Sequence, residues 1–428
     1  MTITDEPSPK SNSLEMLTQS RENAVLDSVV TPQGEVEVFG YVAPGFEHVL
    51  HAFRENFKAG TEVGAACSAY INGERIVDVW GGWRSMDRQN PWEEDTMVVV
   101  MSTTKGLSAL AMALLHSEGQ LDFDKTVASY WPEFSQGGKS SVTVRQLLAH
   151  QAGLAAVDVP LTLQSMADRE NLENALAKQM PIWEPGTRHG YHATTLGFYL
   201  NGLVRRADKQ RRSIGELVRD RLSGLSPNDM YIGLPDTIDD ERIAEIVVKP
   251  DWKAIRQLPM RTILSSLNPR SLFHRVAANP KLKSLTDVST REYLKLELPS
   301  FGSVATARAL ASTYSLFAGH NPILKCAPET FHQLEASAIQ PSRGELDIVL
   351  GIPTAYSLGF SKPSPFFDFG TDERAYGSPG AGGSQAFADP ATQLGFAYTP
   401  NNLRIGVIDD ARAIALREAT YKCIEKLS

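Results

Sequence analysis

Met97-Val98-Val99-Val100-Met101-Ser102-Thr103-Thr104-Lys105-Gly106-Leu107-Ser108-Ala109-Leu110-Ala111 is the stretch on which the reading of this chain turns. An apolar run of five residues, strand-like or buried, stops at Ser102. A helical pattern follows, with Leu107, Leu110, Ala111 and Leu114 on one face and Gly119 where a helix commonly ends. Ser102 therefore falls in the first turn of a buried helix, and a spacing of three puts Lys105 on the same face, one turn along. A serine hydroxyl is a poor nucleophile until a neighbour accepts its proton. A lysine one turn away accepts it if burial lowers the amine pKa, or as a cation it stabilises the forming alkoxide. The helix start adds free backbone N–H groups near a developing oxyanion. The same tetrad also describes a Ser/Thr cap followed by a solvated lysine. About one Ser-x-x-Lys is what chance gives for 35 serines and 16 lysines in 428 residues. The surroundings have to decide.

Two distant segments bear on that decision. Glu184-Pro185-Gly186-Thr187-Arg188-His189-Gly190-Tyr191-His192-Ala193 is a turn-rich loop leading into a helix over Thr195–Arg206. Tyr191 near cations can have a lowered pKa and serve as a general base, or it is a half-buried tyrosine bonded through its hydroxyl. Tyr376-Gly377-Ser378-Pro379-Gly380-Ala381-Gly382-Gly383-Ser384 is a glycine-rich strand entry that lets backbone approach a ligand, or a plain interdomain loop.

Periodicity gives the frame around these segments. Gly45–Lys58 reads as an amphipathic helix. Ala65–Ile71, Asn72-Gly73 and Arg75–Trp80 read as a hairpin with a type I′ turn. Gln385–Ala388 and Leu394–Thr399 form another hairpin, followed by a helix over Ala411–Leu427. Between them Leu107–Glu118, Val144–His150, Thr195–Arg206 and Val304–Phe317 are helical. The expected arrangement is one antiparallel sheet with flanking helices built from both termini, with a helical domain inserted between. Residues 1–33 are polar and aperiodic and read as a flexible extension. Residues 34–98 and 372–428 are assigned to the sheet domain. Residues 99–371 are assigned to the helical domain, with a proline-punctuated, pocket-forming stretch over about 227–299.

Composition narrows the function classes. Lys+Arg 42 against Asp+Glu 50 gives a net charge of −8, which argues against a polyanion-binding surface. The basic run from Arg205 to Arg212 reads as the solvated end of a helix. Cys67, Cys326 and Cys423 are scattered and odd in number, so neither a disulfide framework nor a zinc site is expected. The first thirty residues have no apolar core and carry acids throughout, and no window holds eighteen consecutive apolar residues. A soluble cytoplasmic protein is expected, with no membrane span and no nucleic-acid partner. GxGxxG, HExxH, GxSxG and the P-loop are all absent.

Together the three segments make the chain resemble the serine β-lactamase-like superfamily, and within it the family VIII carboxylesterases, which are similar to class C β-lactamases and DD-peptidases. The resemblance runs from about Phe39 to Leu427. It includes Trp92-Glu93-Glu94-Asp95-Thr96, Tyr130-Trp131-Pro132-Glu133-Phe134, Leu147-Leu148-Ala149-His150-Gln151-Ala152-Gly153-Leu154 and Ile232-Gly233-Leu234-Pro235. It implies an α/β (α+β) fold of the β-lactamase/transpeptidase type. It also implies a nucleophile at Ser102, its lysine partner at Lys105, a tyrosine base at Tyr191 kept acidic by Lys105, and oxyanion donors at the backbone of Ser102 and Ala381. Ser378, Gly380 and His192 would contact the substrate. Two positions depart from the lactamase pattern: Ala193 stands where an asparagine follows the tyrosine, and Ser378-Pro379-Gly380 replaces Lys-Thr-Gly. Without the cation that engages a substrate carboxylate, the implied substrates are neutral esters with short to medium acyl chains. Neither metal nor organic cofactor is required. The same acyl-enzyme would also serve an acyltransferase or an amidase, and a scaffold protein of another class would keep the fold without the chemistry.

Overall fold

The computed structural model describes residues 25–32, 34–225, 229–249, 260–365, 367–404 and 409–427. Along the chain, β1 (Val25–Thr31) and β2 (Gly34–Val42) precede α1 (Glu47–Lys58). The hairpin β3 (Gly64–Ile71) and β4 (Glu74–Gly82) turns through Asn72 and Gly73 at φ 53° and 80°, the positive angles expected there. A two-residue strand, β5 (Val98–Val99), leads into α2 (Thr104–Ser117), and α3 (Thr195–Ala207) follows in the helical region. β6 (Met230–Tyr231), β7 (Val247–Lys249), α4 (Leu272–Ala277) and β8 (Val304–Ala305) come next, then α5 (Ala307–Ala318). The last stretch holds β9 (Tyr356–Ser357), β10 (Phe360–Ser361), β11 (Tyr376–Pro379), β12 (Gln385–Asp389), β13 (Leu394–Pro400), β14 (Asn402–Arg404) and α6 (Ala411–Leu427).

Nine strands make one antiparallel sheet in the order β1-β2-β4-β3-β13-β12-β11-β10-β9. Strand alternation sorts its side chains by size. Ala65, Cys67, Val77, Val79, Phe387, Phe396 and Tyr398 face a core shared with α1 and α6. Ala66, Trp80, Ala386, Ala388 and Ala397 face the other core. On that second face α5 lies across β13, β3 and β12, and the small side chains of the central strands let it come close. α2 then sits between the sheet and the helical region, its body buried throughout because both sides are covered.

The expected architecture is present: an antiparallel sheet built from both ends of the chain, covered by helices, with a helical region inserted. Two expected boundaries are corrected. Val25–Thr31, read as part of an extension, is an edge strand paired with β2, because Val29 enters the sheet core. Residues 1–24 of that expected extension lie outside the described residues. Helix α5 and strands β9 and β10, assigned to the helical part, belong to the sheet layer: α5 packs its small residues on the sheet and β10 pairs with β11. Within the expected 227–299 stretch, residues 227–228 and 250–259 lie outside the described residues. The rest contributes α4 and β6, the latter in a small sheet ordered β5-β8-β6.

Three cations of the basic run at the end of α3 have carboxylate partners, while Lys209 and Arg211 are exposed. Arg205 pairs with Glu297, Arg206 with Glu173 and Arg212 with Asp208. Among the described residues no helix is long and apolar enough to cross a membrane.

Candidate active site

Ser102 sits at the junction of three elements. The short helical turn Met101–Thr103 follows β5 and runs straight into α2. Met101 has φ 47°, a costly angle for a side-chain-bearing residue, and it makes the strand-to-helix turn sharp enough to leave Ser102 half-buried while Thr103 and Thr104 are sealed. Surrounding groups over-determine this turn. The Val100 N–H donates to Ser303 O at 3.0 Å, and Val100 O accepts the Ser384 hydroxyl at 2.7 Å. The Thr104 hydroxyl donates to Met101 O at 2.6 Å, and the Ser378 hydroxyl to Ser102 O at 2.8 Å.

Lys105 is 2% exposed, and its Nζ has three oxygen neighbours: Ser102 Oγ at 3.2 Å, Ala193 O at 2.6 Å and Ser300 O at 2.9 Å. Burial lowers its pKa to about 7. At that value the amine is populated in both protonation states near neutral pH. In the neutral form two N–H groups satisfy the two carbonyls, and the lone pair is left facing the Ser102 hydroxyl.

Tyr191 arrives from the loop before α3. Its ring lies under Lys105 Nζ, 4.7 Å from the centroid, and its phenol is near enough to Ser102 to interact with it electrostatically. Its backbone N–H donates to Asp347 Oδ2 at 2.9 Å. That buried carboxylate also accepts the Tyr356 hydroxyl at 3.0 Å and the N–H groups of Val349 and Leu350 at 2.8 Å each. Ala155, Ala156, Val276 and Val349, with Ile182, Trp183 and Leu272 at their edge, form an apolar collar around Tyr191. Burial in this collar raises the phenol pKa most; the neighbouring Ser102 hydroxyl lowers it in part and the Asp347 charge raises it further. The expectation of a tyrosine kept acidic by Lys105 is therefore corrected: of the pair, the lysine amine is the group shifted into the neutral range.

His192 also departs from expectation. It is fully buried, with Nδ1 against Gly190 O at 2.7 Å and Nε2 accepting the Leu154 N–H at 2.9 Å. Both ring nitrogens are occupied by backbone, and burial lowers its pKa to about 3. His192 is a neutral brace of the tyrosine loop and presents no surface to a substrate. His150 is likewise buried and accepts the His192 backbone N–H through Nδ1 at 3.1 Å.

The glycine-rich segment closes the site from the sheet side. The Gly383 N–H donates to Gly380 O at 3.2 Å and the Gly380 N–H to Ser384 O at 2.7 Å, so Gly380–Gly383 is a tight turn. A Cβ on Gly380 would lie 2.5 Å from Val100 O and 2.9 Å from Thr103 Oγ1, which is why glycine is needed where the turn meets the nucleophile. Gly380 packs against the nucleophile turn, and the Ser378 hydroxyl proton is held by Ser102 O. The N–H groups of Ser102 and Ala381 make no hydrogen bond among the described residues, and Ala381 is exposed.

Several supports were not legible from sequence. Asp347 and Tyr356 sit in no motif, and the carbonyls of Ala193 and Ser300 are backbone, carried by any residue type. Ser384 lay inside the glycine-rich segment, and its spacing alone did not disclose a bond to Val100 O. Among the described residues no three His, Cys, Asp or Glu side chains converge as a metal ion would require.

Comparison with known proteins bears on this arrangement. The family described as Beta-lactamase matches residues 53–420. The esterase/beta-lactamase LipL of Mycobacterium tuberculosis is 31% identical over 384 residues, covering 87% of this chain and 85% of that protein. The crystal structure of a family VIII carboxylesterase superposes with a TM-score of 0.79 at 32% identity, over 90% of this chain and 100% of that one. A penicillin-binding protein homologue from Caulobacter crescentus superposes with a TM-score of 0.78 at 31% identity, over 90% and 99%. With a family match over most of its length and a relative of this identity, the chain belongs to the Beta-lactamase family of serine-active proteins.

Proposed function

We propose that the protein is a serine hydrolase that cleaves neutral carboxylic esters of short to medium acyl chain through an acyl-enzyme on Ser102. The observation that carries the reading is the 3.2 Å approach of the buried Lys105 amine to the Ser102 hydroxyl, with two carbonyls fixing its other N–H directions. Similarity to LipL, to Esterase EstB of Burkholderia gladioli (33% identical over 96 residues) and to the family VIII carboxylesterase supports an ester substrate.

Neutral Lys105 takes the Ser102 proton as Oγ bonds to the ester carbonyl carbon. The carbonyl oxygen becomes an oxyanion received by the N–H groups of Ser102 and Ala381. Collapse breaks the bond to the alkoxide, which leaves as alcohol with the proton from Lys105, relayed through the Tyr191 hydroxyl. Water then gives up a proton along the same path, attacks the acyl carbon and frees the acid and Ser102. In this scheme Tyr191 is a relay and hydrogen-bond donor, because its high pKa keeps it protonated. The preference for neutral esters follows from Ser378-Pro379, which offers no cation to a substrate carboxylate. The unpaired Cys67, Cys326 and Cys423 accord with a reducing, cytoplasmic setting.

A panel of p-nitrophenyl esters from acetyl to decanoyl, with a chromogenic cephalosporin alongside, tests the reading. Turnover of the shorter esters, together with fluorophosphonate labelling that disappears in Ser102→Ala, is the expected result. Ester turnover that survives both Ser102→Ala and Lys105→Ala would end it. Product analysis with added alcohol separates hydrolysis from acyl transfer.

A further inference from the structure

The turn that carries Ala381 is anchored from behind by a buried ionic cluster. Arg412 is 2% exposed and every N–H of its guanidinium has a partner. Nε donates to Asp410 Oδ1 at 3.0 Å, and Nη1 to Glu62 Oε2 at 2.9 Å and Thr61 O at 3.2 Å. Nη2 donates to Asp410 Oδ2 at 2.9 Å, Asn402 O at 3.1 Å and Gly382 O at 2.8 Å. Glu62 in turn accepts the Tyr398 hydroxyl. The turn rests directly on this cluster: a Cβ on Gly383 would lie 2.7 Å from Asp410 Oδ2 and 2.8 Å from Arg412 Nη2.

A buried cation with two carboxylates is a poor device for stability alone, since well-packed apolar residues commonly do as well. What apolar residues cannot do is hold a carbonyl in one direction. Gly382 and Gly383, at φ 88° and 109°, have the widest conformational freedom of any residues, so the turn that follows Ala381 needs an outside anchor. Arg412 supplies it on one side of the turn, and Ser384, bonded to Val100 O and Thr103, supplies it on the other.

We propose that Arg412 is a positioning residue for catalysis: by holding the Gly382 carbonyl it fixes the shape of the Gly380–Gly383 turn, and through the turn the direction of the Ala381 N–H toward the oxyanion. The proposal rests on the esterase reading above, with Ala381 as the second oxyanion donor.

The test uses Arg412→Lys, which keeps one charge but cannot reach all these acceptors. It also uses the triple variant Arg412→Met, Glu62→Leu, Asp410→Asn, which removes the donor together with both carboxylates, so that the sealed cluster keeps no unpaired charge and only the partly exposed Arg404, 3.7 Å from Asp410, loses a neighbour. Turnover is counted per Ser102 that a fluorophosphonate labels at completion, and affinity for phenylboronic acid reports binding of a tetrahedral adduct. Lys139→Met, which removes another buried cation, is the control for lost stability. Expected are a fall in kcat of about a hundredfold, the scale of losing one oxyanion donor, an equal loss of boronate affinity, and a KM within threefold, with kcat unchanged in Lys139→Met. The proposal is overturned if the folded triple variant keeps kcat and boronate affinity within twofold, or if only the melting temperature falls. A wild-type protein that neither turns over esters nor labels at Ser102 would instead show that the underlying reading has failed.

Discussion

Lys105 and Lys139 are both amines sealed in the interior, each with three oxygen partners. Lys139 Nζ donates to the carbonyls of Gln136, Ala177 and Gln179 at 2.7, 2.8 and 2.6 Å. Lys105 Nζ has two carbonyls and one hydroxyl. Burial pulls both pKa values down, to about 8 for Lys139 and about 7 for Lys105. The difference lies in the third partner. A carbonyl only accepts, so Lys139 satisfies its surroundings only as an ammonium. A hydroxyl both accepts and donates, so Lys105 is satisfied either charged or neutral. Burial alone therefore does not mark a functional lysine; a neighbour able to exchange the proton does.

The largest expected effect falls on the hydroxyl that makes the difference. Ser102→Ala should reduce ester kcat by about 10⁴-fold or more, with fluorophosphonate labelling abolished, measured against p-nitrophenyl acetate. Lys105→Met should follow at about 10³-fold in a protein that still folds, because it removes the amine that accepts the Ser102 proton. Tyr191→Phe should cost less, about 10- to 100-fold, since it removes a relay and not the acceptor; a loss equal to that of Lys105→Met would show that the phenol is the base after all. In the wild type, kcat/KM should fall about tenfold per pH unit below about 7, as Lys105 is protonated, and level off above it. A profile flat from pH 5 to 9 would rule out the amine as acceptor. Smallest on activity is Lys139→Met: kcat should stay within twofold while chemical denaturation reports a loss of about 2–4 kcal/mol from three carbonyls left without a donor.

Stability should also respond to Lys105. Its folded pKa of about 7 lies below the unfolded value, so between pH 7 and about 10 the unfolded chain binds more protons, and stability rises with pH across that window. Lys105→Met should flatten this rise, which denaturant midpoints at pH 7 and 9 would read.

Much of the fold was legible because its signals are local. Asn72-Gly73 can take the positive φ angles of a tight turn, and the strands beside it alternate two faces; both are properties of neighbouring residues. The helix after Ser102 announced itself through Leu107, Leu110, Ala111 and Leu114. Val25–Thr31 is not legible in sequence, because a single edge strand with Asp27 and Ser28 in it looks like any polar segment until β2 pairs with it. Helix α5 is legible as a helix but its layer is not, since periodicity reports which face is apolar and not which neighbour covers it.

The site divides along the same line. That Ser102 and Lys105 share a helix face follows from helical geometry, and no fold is needed to say so. That Tyr191 comes to the same place, that Asp347 holds its backbone, and that His192 is turned inward to bond Leu154 and Gly190 were decided by tertiary structure. So were the protonation preferences. A pKa depends on the water removed and the partners supplied by the whole assembled surroundings, and residues from 102, 193 and 300 converge on one amine only when the chain has folded.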